Sequence, residues 1–191
     1  GPIGAYAGSV VASGFLWLGD TVPWLGTGVL AFFLPWLVMT GMVYAITPFM
    51  ALNISELGFD KVLRPAYMCH NMAEAGAAIG VGLKAKDPEF KALAFSVAFQ
   101  CLVAGVSEPA IYGVNLKLKK PMIAVMIGGA AGGVVSAWLG ATAYSMGWSN
   151  IWAMPIFMET IPAMLAGIAT SIVVAALMAF IIGFDQNEAH L

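Results

Sequence analysis

ALAFSVAFQCLVAGVSEPAIYGVNL, residues 92–116, is apolar enough to enter a lipid bilayer, yet it is interrupted at Gly105, Ser107, Glu108 and Pro109 and has lysines on both sides. Lys91 precedes it and Lys117, Lys119 and Lys120 follow. In membrane proteins Lys and Arg gather in cytoplasmic loops, so both flanks are expected on one side of the membrane. A segment whose flanks stay on one side must enter and turn back, which predicts a re-entrant hairpin of half-helices. Non-helical backbone at membrane depth is tolerated only where protein or a water-filled cavity surrounds it, and short interrupted apolar segments point to a transporter's substrate site. The alternative reading is one tilted, kinked span.

Residues 65–83 read the same way: short, apolar, with Glu74 at the middle and basic residues at both flanks, they predict a second hairpin, or otherwise a surface helix. Around these two lie longer apolar runs. Residues 1–19 and 24–52 are each long enough for the roughly 20 apolar residues that cross a hydrocarbon core, with a turn around Asp20 and Pro23 between them. A polar connector, 53–66, is expected on the cytoplasmic surface. Further spans are predicted over 121–143 and 161–183, joined by a turn at Gly147 to Asn150, with residues 185–191 starting a cytoplasmic linker. The fold class is an all-α membrane protein with about four transmembrane helices and two re-entrant helical hairpins, multi-pass, both ends cytoplasmic.

Composition agrees. Of 191 residues 61% are hydrophobic and 9% charged, with a mean hydropathy of +0.89, which excludes an ordinary soluble domain. All eight basic residues fall between Lys61 and Lys120, in short clusters beside apolar segments, which argues against a nucleic-acid surface. Cys69 and Cys101 sit in apolar surroundings without metal-ligand spacing and read as buried, reduced thiols; no metal or cofactor is expected. The chain opens on Gly, with no signal-peptide pattern, and reads as part of a longer protein. Gly128 with Gly132, and Gly129 with Gly133, form small-xxx-small pairs that let helices approach closely, while Trp148 and Trp152 read as interfacial anchors.

An ionisable side chain inside a membrane segment is costly and by default suggests a functional site. Pro109 disfavours helical geometry at Glu108 and suits the start of a new helix, so Glu108 falls at or near an N-cap, where backbone N–H groups and the helix dipole compensate its charge. Such a carboxylate can accept two hydroxyl hydrogen bonds from a sugar. Tyr112, one helical turn later, could pack on the sugar's apolar face, and Asn115 continues that face. The alternative is that Glu108 only caps the half-helix or pairs with a lysine.

The stretch 105–121, GVSEPAIYGVNLKLKKP, resembles the acidic-proline signature region of the sugar-permease C subunits of the bacterial phosphotransferase system, glucose superfamily, most closely the β-glucoside branch. HNMAEAGAAIGVGLKAKDPEFKALAFS, the opening GPIGAYAG and the closing IIGFD follow the order of that family, so the resemblance covers nearly the whole chain and corresponds to the C-terminal, substrate-binding half of its membrane domain. It implies a protein of the bacterial inner membrane that binds a β-glucoside or related sugar and presents it to a phosphocysteine on a separate B domain, in a homodimer whose main contacts lie in N-terminal helices. It also implies that Glu108 is the sugar-binding glutamate and a possible base, with Ser107 in the same motif, and that Asn71 and Glu74 sit at the tip of the first hairpin. Many members carry a histidine where this chain has Val43, and His70 cannot be assumed to replace it. Competing readings are a secondary transporter or channel for an unmodified solute, and a non-transporting membrane scaffold.

Overall fold

The computed structural model describes residues 21–189 together with Val10, Gly14 and Trp17, so the span expected over 1–19 falls almost wholly outside the described residues. The chain forms α1 (Pro23–Met39), α2 (Val43–Leu57), α3 (Leu63–Lys84), α4 (Pro88–Ala104), a short α5 (Glu108–Ala110) that continues into a π-helical turn at Ile111–Asn115, α6 (Lys120–Trp138), a 3-10 segment at Ile151–Thr160, and α7 (Ile161–Ile182). No strand occurs among the described residues; a lone backbone bridge joins Asp60 and Ala143. Pro stands in the first turn of α1, α4, α6 and α7, where its missing N–H leaves no helical bond unmade. Two helical stretches, Lys120–Trp138 and Ile151–Ile182, are long and apolar enough to cross a membrane.

The bundle is held together by backbone-close helix contacts. On α6, Gly128 and Gly132 face α7, where an added Cβ would lie 2.9 Å from Ser171 O and 2.5 Å from Gly167 O respectively. Gly129 and Gly133 face α1 instead, at 3.1 Å from Ala31 O and 3.0 Å from Thr27 O. The overlapping small-residue pairs thus serve two neighbours on two faces of one helix. Helix α3 runs through the centre with almost every residue buried. α7 keeps Leu165, Val173, Leu177, Phe180 and Ile181 on its exposed side.

Three expectations change. The span over 24–52 is broken at Thr40 to Met42, where Gly41 adopts φ 73°, and α2 turns back. The hairpin expected over 65–83 is one unbroken helix of 22 residues, about 33 Å long at 1.5 Å per residue. The basic residues at its two flanks belong to opposite ends of that helix, and its Gly76 and Gly80 are packing sites against α7, with Ile172 O and Ala176 O pressed onto them. Because α3 does not turn back, its two ends lie at opposite ends of the bundle. At one end Lys84 Nζ donates to Phe180 O (2.6 Å) and Lys119 pairs with Glu188 (3.7 Å). At the other, Asp60 and Ala143 exchange two backbone hydrogen bonds of 2.8 Å. The connector over 53–66, expected beside the lysine-bearing loops, is therefore at the far end from them, next to the 140–150 loop.

Residues 92–116, by contrast, do form a broken pair of arms. α4 rises from the lysine-bearing end, the chain leaves helical geometry at Gly105–Ser107, and the shorter arm returns to Lys117.

Candidate functional site

α4 ends at Gly105, whose φ of 77° belongs to the left-handed region. A Cβ there would also lie 3.2 Å from Ser149 C and O, so only glycine fits both the turn and the close approach. Ser107 is the N-cap and Glu108 the first helical residue of α5, with Pro109 next. No side-chain cap bond forms, and no hydrogen bond or ion pair engages the Glu108 carboxylate among the described residues. Glu108 is exposed, on the edge of a cleft of about 470 Å³.

Four elements build that cleft. The hairpin tip contributes Gly105 to Pro109; the α1–α2 junction contributes Val38, Val43, Tyr44 and Thr47; α3 contributes Tyr67, His70 and Asn71; Trp148 and Ser149 close the side. Four candidates drawn from the sequence, Glu108, Ser107, His70 and Asn71, are thus brought together. Val43, the position at which the resemblance leads one to expect histidine, lines the same cleft as His70, although 27 positions separate them in the chain. The His70 ring is buried, and neither of its nitrogens has a hydrogen-bond partner.

Glu74 and Tyr112 are not brought into the cleft. Glu74 sits in mid-helix, fully buried, and accepts a hydrogen bond from Asn115 Nδ2. Neither it nor Asn71 is at a hairpin tip, because α3 has none. Tyr112 is 51% exposed and lies in the π-helical turn, where the chain closes i→i+5 (Leu116 N to Ile111 O, 2.7 Å). Tyr112 is not among the residues that line the cleft. Asn115, expected on the face of Glu108, is buried against α3.

One residue of the site was missed from sequence. Arg64, read as part of a surface connector, is 4% exposed and donates from Nη1 to Ser149 Oγ (3.1 Å) and from Nη2 to Trp148 O. Asn71 Nδ2 donates to Ser149 O and to Cys101 O (3.3 Å), and Asn150 Nδ2 to Ala104 O (3.5 Å). The 148–150 loop is thereby tied both to α3 and to the end of α4. The missed signal was helical spacing: Arg64, Tyr67, His70 or Asn71, and Glu74 recur every three or four residues, a polar stripe along one continuous helix. Arg64→Ala removes two charge-assisted bonds and should lower stability by about 2 kcal/mol, measured as the shift in thermal unfolding of the detergent-solubilised protein. Both cysteines are buried free thiols.

Comparison with known proteins agrees with the motif. The family model described as "Phosphotransferase system, EIIC" matches residues 1–129. The "PTS system beta-glucoside-specific EIIBCA component" of Bacillus subtilis (strain 168) is 36% identical over 187 residues, covering 97% of this chain and 30% of that protein. The "PTS system arbutin-, cellobiose-, and salicin-specific EIIBC component" of Escherichia coli (strain K12) is 30% identical, covering 97% and 39%. The "PTS system sucrose-specific EIIBC component" of Bacillus subtilis (strain 168) is 31% identical, covering 98% and 41%. The chain therefore spans about a third of the length of these relatives. No solved structure matches it. With the acidic-proline tip, the order of its motifs and the matched residues in agreement, this chain belongs to the EIIC family of the phosphotransferase system.

Proposed function

We propose that the chain is the sugar-binding half of a phosphotransferase-system permease for a β-glucoside or a related glucoside. The observation that carries this reading is the Glu108 carboxylate, unpaired at a broken hairpin tip and facing a cleft of about 470 Å³, a volume in the range of small-ligand sites. An ionised carboxylate without a protein partner is suited to two sugar hydroxyls. Ser107 adds a hydroxyl, and Asn71, whose two amide hydrogens are spent on carbonyls, keeps its Oδ1 as an acceptor. His70 lies in the wall of the same cleft, its buried ring nitrogens without a protein partner.

Six of the eight basic residues lie at or near the end of α3 marked by Lys84, leaving Lys61 and Arg64 at the other, so the lysine-bearing end faces the cytoplasm of a multi-pass inner-membrane protein. The cleft lies toward the opposite end, beside the 148–150 loop, so the bound sugar must be carried to the cytoplasmic side before a phosphorylated B domain approaching there reaches it. The sugar hydroxyl oxygen attacks phosphorus, the phosphorus–sulfur bond of the phosphocysteine breaks, the thiolate leaves, and Glu108 takes the hydroxyl proton. In the full-length protein the homodimer draws its main contacts from N-terminal helices, and the exposed side of α7 meets lipid.

The test is uptake of arbutin, salicin, cellobiose and sucrose by vesicles containing the full-length protein and its phosphodonors. Internal sugar should be the phosphate ester. Accumulation of unmodified sugar driven by a sodium or proton gradient would sink the proposal in favour of a secondary transporter.

A further inference from the structure

Glu74 is the one carboxyl group buried to 0% exposure among the described residues, and the cleft makes no use of it. It lies on α3 opposite the returning arm of the hairpin, where Asn115 Nδ2 donates both to Glu74 Oε2 and to the Glu74 backbone oxygen (3.2 Å). The other halves of both groups are orphaned: Glu74 Oε1 and Asn115 Oδ1 are buried without any partner. Among the described residues Glu74 makes no ion pair. His70 is one turn away on the same helix, Cys101 is on α4, and Glu108 is on the hairpin; α7 has no titratable side chain, and the only one on α6 is Lys120 at its first residue. Ala73, Ala77, Ile111, Val125 and Ala175 pack together in the adjoining core.

Two acceptor oxygens, on groups already joined by one N–H···O bond, are each without a hydrogen-bond partner. An amide and a carboxylic acid make a closed pair of hydrogen bonds: the amide N–H to the acid carbonyl, and the acid O–H to the amide oxygen. The first of those bonds is in place, and a proton on Oε1 would complete the second and satisfy both orphans. An ionised carboxylate in the same place would leave a buried charge and two unmet acceptors, an arrangement that proteins relieve by neutralising the group.

We propose that Glu74 holds a proton and pairs with Asn115 as an acid with an amide, and that this neutral clasp positions the returning arm, and with it Glu108, against α3. Glu74 is then a positioning residue and not a sugar contact. The consequence for the hairpin rests on the sugar-binding reading of Glu108; the proton does not.

Two measurements on the purified full-length protein decide it. Infrared spectroscopy at neutral pH should show a protonated-carboxyl C=O band that disappears in Glu74→Gln. Sugar binding should change by less than about twofold in Glu74→Gln, whose amide reproduces the clasp without a titratable proton, and weaken by about tenfold or more in Glu74→Ala. Absence of a band difference overturns the proton. Loss of binding in Glu74→Gln, or unchanged binding in Glu74→Ala, overturns the positioning role. If the wild-type protein binds no sugar at all, the permease reading fails while the infrared result still decides whether Glu74 is protonated.

Discussion

Glu108→Gln should weaken sugar binding to the full-length protein by about 10- to 100-fold, the span expected when a hydrogen bond to a charged acceptor, worth about 1.5–3 kcal/mol, is reduced to a neutral one. The side chain keeps its size and stays at the first position of α5 beside Pro109, so the fold has little to lose. Because no protein group depends on the carboxylate, the effect should appear in binding and leave thermal unfolding unchanged. Equilibrium binding to a panel of glucosides, with a melting curve on the same sample, checks both halves. A variant that binds normally would remove Glu108 from the site and strengthen the case for a scaffold without transport.

Gly76→Val carries the largest structural effect. The added Cβ would lie 2.5 Å from Ile172 O and 2.8 Å from Ile172 Cα, and both are main-chain atoms that no rotamer change can move. α3 and α7 must separate, and a loss of about 3 kcal/mol or more is expected, at the upper end of overpacking costs. Gly113→Ala is the control: nothing lies within 4 Å of a Cβ at that position. Thermal unfolding of the two variants in detergent should separate them clearly, and equal behaviour would mean that α3 and α7 do not pack as described.

The comparison of these glycines also explains what was legible from sequence. Gly105 and Gly76 look alike in the chain, each a glycine within five residues of a glutamate in an apolar segment. The break at Gly105 was readable because Pro109 stands with it and removes a backbone donor, a local effect. The continuity of α3 was not, because the turn expected there rested on basic residues at both flanks, while the contacts that hold the helix, Gly76 and Gly80 against α7, lie about a hundred positions further along. Positive charge misled in a similar way. Lys61 and Arg64 were grouped with the other basic residues, but Arg64 is buried and its partners are Trp148 and Ser149, so it says nothing about which side of a membrane it faces. Tyr112 does not line the cleft, and the π-helical register of Ile111–Asn115 is not announced by its sequence. Glu108 was singled out by the chemistry of a carboxylate in an apolar segment, whereas Ser107 and Asn71 came from the resemblance; the structure brings them into one cleft with His70.

Among the bonds that tie the cleft wall together, those from Arg64 Nη2, Asn71 and Asn150 all end on main-chain oxygens, at Trp148, Ser149, Cys101 and Ala104. A frame fastened through carbonyls is indifferent to the side chains it displays. Position 148, with its Trp 72% exposed, can therefore be varied without loosening the wall. A saturation library at that single codon offers a route to altered glycoside preference on an unaltered scaffold.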